Sequence, residues 1–429
     1  MTKKRFLAFA ALLAVGAVGC GRRETPGPPL PSSRVKVGAQ VLIDSRPELV
    51  QGKRLGVITN HSALLTDGTH LLDKLRAIPG VTVAALFGPE HGFSGTAYDG
   101  APVGDGWDDK TKTKVYSLYG GTNKPTPEML DGIDLLVFDI QDVGVRFYTF
   151  TSTMFLCLEA AAERKIPFLV LDRPNPTTGL KVEGPLLEPA QKSFVGLYSL
   201  PVSPGMTVGE LAGLVNGEGW LAGGVQAELQ VVKMDGWTRD LWFVECGIPW
   251  VKPSPNMVYP DTAVVYPGTC FLEGTNVSEG RGTENPFAVI GAPYIDGGEL
   301  AGAMNALGFA GVEFQPLSFY PMSIPGVVAN PKYEYTMCGG VFLRVSDRNA
   351  FRPVRTGLAL LSTLKKLYPK EFEWRSPSRS TGKYYIDLLT GTPKIRELVD
   401  AGAGPDALAA VAEAGLADFL AIRQKYLLY

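Results

Sequence analysis

Four apolar runs in the first half of the chain each stop at polar or turn-forming residues, and this pattern constrains the fold more than any other feature. They are LGVIT at 55–59, VAALF at 83–87, IDLLVFDI at 133–140 and FLVL at 168–171. Runs without polar alternation read as strands buried on both faces, so helices must cover both sides of the sheet. The intervening segments supply them. Thr69 to Ile78 and Ser152 to Arg164 carry helical patterns, and Thr126-Pro127-Glu128 opens a short helix reaching Leu130. Thr207 and Glu210 have capping-box spacing and open a helix through Leu214. Lys114–Leu118 and Leu229–Met234 read as further strands. This alternation predicts an α/β fold with a Rossmann-like parallel sheet.

At 429 residues the chain is long for one domain. Its character changes near Lys252-Pro253-Ser254-Pro255-Asn256, and a Gly-punctuated polar stretch at 268–286 reads as a long loop. Val341–Val345 alternates as a strand, Val354–Leu367 is an amphipathic helix, and a helix near Leu416 to Tyr426 ends the chain. The expected organisation is a Rossmann-like catalytic domain at 36–260 and a smaller α+β domain at 261–429 that contributes to the cleft. The formal net charge of −2 gives no reason to expect nucleic acid as a partner.

The N-terminus reads as a leader at 1–20 and a tether at 21–35. Lys3-Lys4-Arg5 is a positive n-region, and Phe6 to Val18 is an apolar h-region too short to span a bilayer comfortably. Ala17-Val18-Gly19-Cys20 resembles a lipobox, with Ala17 in the usual Leu position. The expectation is cleavage before Cys20 and lipidation of its thiol, so the only membrane association is a lipid anchor. The other cysteines, Cys157, Cys246, Cys270 and Cys338, match no metal spacing.

Parallel strands place their C-terminal ends on one edge, where open α/β sheets bind ligands. Four predicted strands end there in polar groups: Asn60 and His61; Glu90 and His91; Asp139, Asp142 and Arg146; Arg173 and Asn175. Taken alone, Glu90 reads as a turn cap with His91 packed against it. Four such ends together make a pocket floor. His70 falls within a helical pattern and receives no role. Arg146 and Tyr148 mix charge and aromatic surface in a way that suits a sugar, while Asp142 and Arg146 also suit a loop-holding ion pair. The loop at 276–285 adds Glu279, Arg281 and Glu284. No Gly-x-Gly-x-x-Gly follows any predicted strand and no Walker sequence is present, so neither a nicotinamide nor a nucleoside triphosphate cofactor is expected.

Four stretches together resemble a known family: Gly88-Pro89-Glu90-His91-Gly92; Asp139 to Gly144 with Arg146 to Thr149; Leu171 to Pro176; and Glu273 to Thr283. They are similar to the hallmarks of the NamZ-type exo-β-N-acetylmuramidases, and the resemblance runs from about Val37 to the final Tyr-Leu-Leu-Tyr. It implies a Rossmann-like domain, a smaller C-terminal domain and a site between them. It also implies release of terminal N-acetylmuramic acid (MurNAc) from the non-reducing ends of peptidoglycan fragments such as MurNAc–GlcNAc oligosaccharides. Glu90 takes the position of the family's catalytic glutamate.

Glycoside hydrolysis needs an acid for the leaving oxygen and a second group to assist attack. Glu90 is the expected acid, with His91 tuning it or binding substrate. Asp139, Asp142, Glu279 and Glu284 compete for the second role, as does the acetamido group of the substrate itself. Asn60, His61, Tyr148, Asn175, Glu273 and Asn276 are expected to bind substrate, and Arg146, Arg173 or Arg281 to meet its lactyl carboxylate. Two alternatives are a metal-dependent hydrolase using His61, His91, Asp139 and Asp142, and a non-catalytic muropeptide-binding lipoprotein.

Overall fold

The computed structural model describes residues 35–429. The predicted leader, the Cys20 lipidation site and nearly all of the tether lie outside the described residues.

Seven strands form the larger sheet: β1 (Arg54–Thr59), β2 (Thr82–Gly88), β3 (Gly106–Trp107), β4 (Lys114–Ser117), β5 (Leu135–Asp139), β6 (Phe168–Leu171) and β7 (Leu229–Val232). Their order is β3-β4-β2-β1-β5-β6-β7, parallel throughout except for the β3–β4 edge pair. Alternate residues feed two cores, as period-2 geometry requires. Leu55, Val57, Leu135, Val137, Leu169 and Leu171 pack with helices α1 (Gly38–Ser45) and α2 (Leu71–Ala77). Ile58, Phe87, Leu136, Phe138, Phe168 and Val170 face the other way, onto α3 (Thr149–Arg164) and α4 (Val208–Gly217). Every residue of β5 is buried, so its unbroken apolar run is the direct sequence image of a central strand.

That second core continues into the rest of the chain through Phe271, Ile290, Phe314, Val341 and Leu361. Here α5 (Pro260–Thr269) leads to an antiparallel sheet ordered β8-β10-β9, built from β8 (Val289–Ala292), β9 (Val312–Phe319) and β10 (Cys338–Val345). Helices α6 (Gly297–Asn305), α7 (Pro353–Leu367), α8 (Tyr385–Thr390), α9 (Lys394–Asp400), α10 (Pro405–Glu413) and α11 (Leu416–Arg423) make up the rest of this half. The α+β character expected for this half is present.

Three local expectations change. The stretch predicted as loop from residue 268 begins inside α5 and continues as a 3₁₀ turn over Cys270–Gly274. Glycine there serves helix packing. A Cβ on Gly268 would overlap the Pro353 carbonyl, and one on Gly357 would overlap Gly268, so α5 and α7 touch backbone to backbone. Helix α3 starts at Thr149, three residues before the predicted Ser152, which carries Thr149 into its first turn. His70 is the N-cap of α2. Its Nδ1 accepts from Leu72 N at 3.2 Å, so Nε2–H donates to the Asn60 carbonyl at 2.9 Å.

The C-terminus returns to the first sheet. Tyr429 Oη donates to Asp172 Oδ2 at 2.8 Å and accepts from Met234 N, while Arg423 donates to the carbonyls of Pro204, Gly179 and Gly205.

Candidate active site

The crevice where strand order reverses, between β1 and β5, is closed. Asp139 is fully buried under Arg173, which donates from Nε at 2.5 Å and from Nη2 at 3.0 Å. Arg173 also reaches the Leu64 carbonyl. Asn60 folds its Oδ1 onto Ser62 N and Oγ, and Ser62 Oγ accepts from Gln141 N. Asn175 donates to the Met206 carbonyl and accepts from Thr177. It lies so close to Gly144, at φ +81°, that a Cβ there would overlap its amide. Four residues predicted for the pocket floor, Asn60, Asp139, Arg173 and Asn175, therefore tie the strand ends together and are not among the residues lining the cleft.

Arg146 and Asp142 form no ion pair with each other. Arg146 donates to the carbonyls of Pro185, Leu200 and Leu389, and burial pulls its guanidinium down to about 9. Asp142 accepts from Gly144 N at 2.7 Å, and burial pushes its carboxyl up to about 7 against the backbone N–H groups of Gly144 and Val143. Asn276 bridges the Glu371 carbonyl and the Tyr294 hydroxyl. Glu284 is exposed and outside the cleft lining. His61 does not line the cleft: its Nε2 lies 2.8 Å from the Lys252 carbonyl, and it faces a neighbouring cavity of about 690 Å³, lined also by Phe93 and Trp107, that adjoins the cleft at His91. The four residues considered as metal ligands are thus committed to separate partners.

The cleft that does open lies over the end of β2 and the start of α3, with its far wall supplied by the second half of the chain. Its volume is about 480 Å³, within the range of small-ligand sites. Glu90, His91, Tyr148, Glu273, Glu279 and Arg281 all line it. Gly88 and Pro89 end β2, and the half-buried Glu90 follows. Glu90 Oε1 accepts from Gly100 N at 2.9 Å, and Oε2 accepts from Thr149 Oγ1 at 2.6 Å. Both oxygens of the carboxyl are thereby aimed.

His91 holds φ +66°, a left-handed conformation that costs a non-glycine residue energy and recurs at functional sites. Its Nδ1–H donates to the Ala97 carbonyl at 2.7 Å, and Nε2 lies 3.6 Å from Asp99 Oδ1. Asp99 in turn accepts from Asn256 Nδ2 at 3.0 Å and from Arg281 Nη1. Arg281 also pairs with Glu273 at 2.8 Å and Glu279 at 3.2 Å, and Lys332 meets Glu279 at 2.9 Å. Three carboxylates and two cations interlock across the cleft. Burial pushes Glu273 up, because Arg281 offsets only part of its desolvation. Burial also acts to raise Glu279, but Lys332 and Arg281 outweigh it and hold that carboxyl below its ordinary range.

Sequence reasoning missed Asp99, Tyr119, Lys332, Arg375 and Tyr385, all in the lining. Tyr119 directly follows the predicted strand Lys114–Leu118 and so carries the strand-end mark, whereas the other four end no strand of the large sheet and could not be found that way. Asp99 lies nine positions beyond Glu90 on the same connection, and its acidity amid turn residues was the only local sign.

An α/β chain with an aimed, half-buried carboxyl in a polar, aromatic-walled cleft has one of the two groups that glycoside hydrolysis requires. Two family models described as exo-beta-N-acetylmuramidase NamZ match the chain, the N-terminal one over residues 55–261 and the C-terminal one over 264–429. The peptidoglycan beta-N-acetylmuramidase NamZ of Bacillus subtilis is 44% identical over 421 residues, covering 98% of this chain and 97% of that protein. Two solved DUF1343 family proteins from Bacteroides fragilis share the fold. One has a TM-score of 0.84 at 35% identity, covering 93% of this chain and 100% of its own. The other has 0.74 at 34%, covering 92% and 99%. The chain belongs to the NamZ exo-β-N-acetylmuramidase family, and it is an enzyme of the glycoside hydrolase class.

Proposed function

We propose that this enzyme removes terminal, non-reducing, β-1,4-linked MurNAc from peptidoglycan fragments, with Glu90 as general acid. The observation that carries the reading is the fixing of both Glu90 oxygens, by Gly100 N and Thr149 Oγ1, at the wall of the cleft. A positioned carboxyl meets the first demand of general acid catalysis, which is geometry.

The second catalytic role falls to Asp99 or to the substrate's acetamido group. Asp139 is spent on Arg173, Asp142 and Glu284 are not among the lining residues, Glu273 is held by Arg281, and Glu279 is held by Arg281 and Lys332. Asp99 also pairs with Arg281, but it lines the cleft and is the carboxylate that lies beside an imidazole, that of His91.

The test of substrate and direction is product analysis with two disaccharides. MurNAc–GlcNAc yields free MurNAc and GlcNAc, while GlcNAc–MurNAc remains intact. Cleavage of both would overturn the exo-muramidase reading, and binding without cleavage of either would favour a muropeptide-binding role. We also place the enzyme outside the cytoplasm on a lipid anchor at Cys20. Incorporation of a labelled fatty acid into the wild type and its loss in Cys20→Ala would support this, and secretion of an unlabelled wild-type protein would refute it.

A further inference from the structure

The cation partners offered by the sequence for an anionic substituent are all engaged. Arg146 holds three carbonyls, Arg173 holds Asp139, and Arg281 is shared among Asp99, Glu273 and Glu279. Lys332 is held by Glu279 and two carbonyls. An anion taking any of these would have to displace an existing buried partner, which is costly.

Arg375 differs. It lines the cleft with Glu90, and among the described residues its guanidinium has neither a carboxylate within ion-pair distance nor a hydrogen-bond acceptor. Its backbone is fixed where the wall carries Glu273: Arg375 N donates to the Gly274 carbonyl at 2.8 Å, and Trp374 bridges Thr275. Its guanidinium carbon sits 4.9 Å from the centre of the Tyr385 ring. Tyr385 also lines the cleft, close enough to Glu273 and Glu90 to feel both charges. The ring lies beside the guanidinium, and none of the guanidinium N–H groups is spent on a protein acceptor among the described residues. The planar N–H fork is the group best matched to two carboxylate oxygens.

We infer that Arg375 receives the lactyl carboxylate of the substrate, and so selects an acidic hexosamine over a neutral one. This assignment rests on the muramidase reading of the same cleft. Tyr385 is the positioning residue that holds the fork in place. Arg375 adds to binding and orientation and has no part in proton transfer.

The test is a cycle of two proteins and two substrates: wild type and Arg375→Ala, each with MurNAc–GlcNAc and with the same disaccharide carrying an amidated lactyl group. Loss of a charged hydrogen-bonded pair predicts that kcat/KM falls roughly 10- to 100-fold for Arg375→Ala on the acid. On the amide, wild type and variant should differ less than about threefold, since the partner charge is already gone. Arg375→Lys should recover part of the loss, because it restores charge without the fork. Equal losses on acid and amide, or no loss on either, would overturn the role of Arg375 while leaving the muramidase reading intact. A folded wild type that releases no MurNAc from the acid would instead overturn the muramidase reading and this assignment with it.

Discussion

Thr149 Oγ1 donates to Glu90 Oε2 over 2.6 Å. Glu90 follows β2, and Thr149 is the first residue of α3, so a side chain at a helix start fixes a carboxyl at a strand end. The bond selects one orientation of the carboxyl and leaves the other oxygen to Gly100. Thr149→Val keeps volume and removes the donor. It should lower kcat about tenfold, the equivalent of about 1.4 kcal/mol, with a small change in KM. Thr149→Ser should stay near wild type. Steady-state kinetics on a chromogenic β-MurNAc decides this, and an unchanged kcat in Thr149→Val would remove the bond from the mechanism.

Arg281 holds together Asp99, Glu273 and Glu279. Its removal leaves three carboxylates facing one another with Lys332 as their remaining close cation. Arg281→Met should therefore destabilise the fold by about 3–5 kcal/mol, the usual cost of stranding buried charge. Urea unfolding measures it. Loss of activity without loss of stability would mean that Arg281 acts on substrate and that the cluster is not a structural clasp.

Asp139 and Arg173 make the same point at the closed crevice. Arg173→Met strands a fully buried carboxyl and should cost about 3–5 kcal/mol. Asp139→Asn should lower stability too, yet leave kcat/KM of the folded protein within a few-fold of wild type. A fall of several orders of magnitude in a folded Asp139→Asn protein would return Asp139 to the chemistry.

These pairs explain what the sequence could and could not disclose. The parallel sheet was legible because burial on both faces demands unbroken apolar runs, and β5 and β6 have them. Glu90 and His91 were legible because they follow such a run directly. Asp139, Arg173, Asn60 and Asn175 carry the same mark for a different reason: strand ends that converge on a closed crevice need polar groups to satisfy one another. A polar residue after a buried strand does not say whether its partner is ligand or protein. Lys332, Arg375 and Tyr385 belong to the far wall, and only the docking of the second half against α3 brings them near Glu90. The whole of β9 escaped for a simpler reason: only Phe314 among its eight residues is buried, so its pattern is weak.

Buried acids should make stability fall between acidic and neutral pH. Burial raises Asp142 from 3.8 to about 7, Asp172 from 3.8 to about 6 and Glu183 from 4.5 to about 7. With folded values above unfolded ones, the native state keeps protons that the unfolded chain releases. This contribution is fully present below about pH 4 and is lost as pH rises through 6 to 7. Asp142→Asn removes one such group. Its melting temperature relative to wild type should rise as the pH goes from 4 to 7, and then level off. A difference independent of pH would show that Asp142 is ionised in the folded protein.

The most direct test of the central claim is hydrolysis of a chromogenic β-MurNAc by wild type and Glu90→Gln, with binding of MurNAc–GlcNAc measured alongside. The swap keeps the shape and the acceptor oxygen for Thr149 or Gly100, and it removes the transferable proton. The account predicts a fall in kcat of roughly 10²- to 10⁴-fold with binding within a few-fold of wild type. Retained turnover in Glu90→Gln would contradict it and move the acid to another carboxyl of the cleft, with Asp99 first.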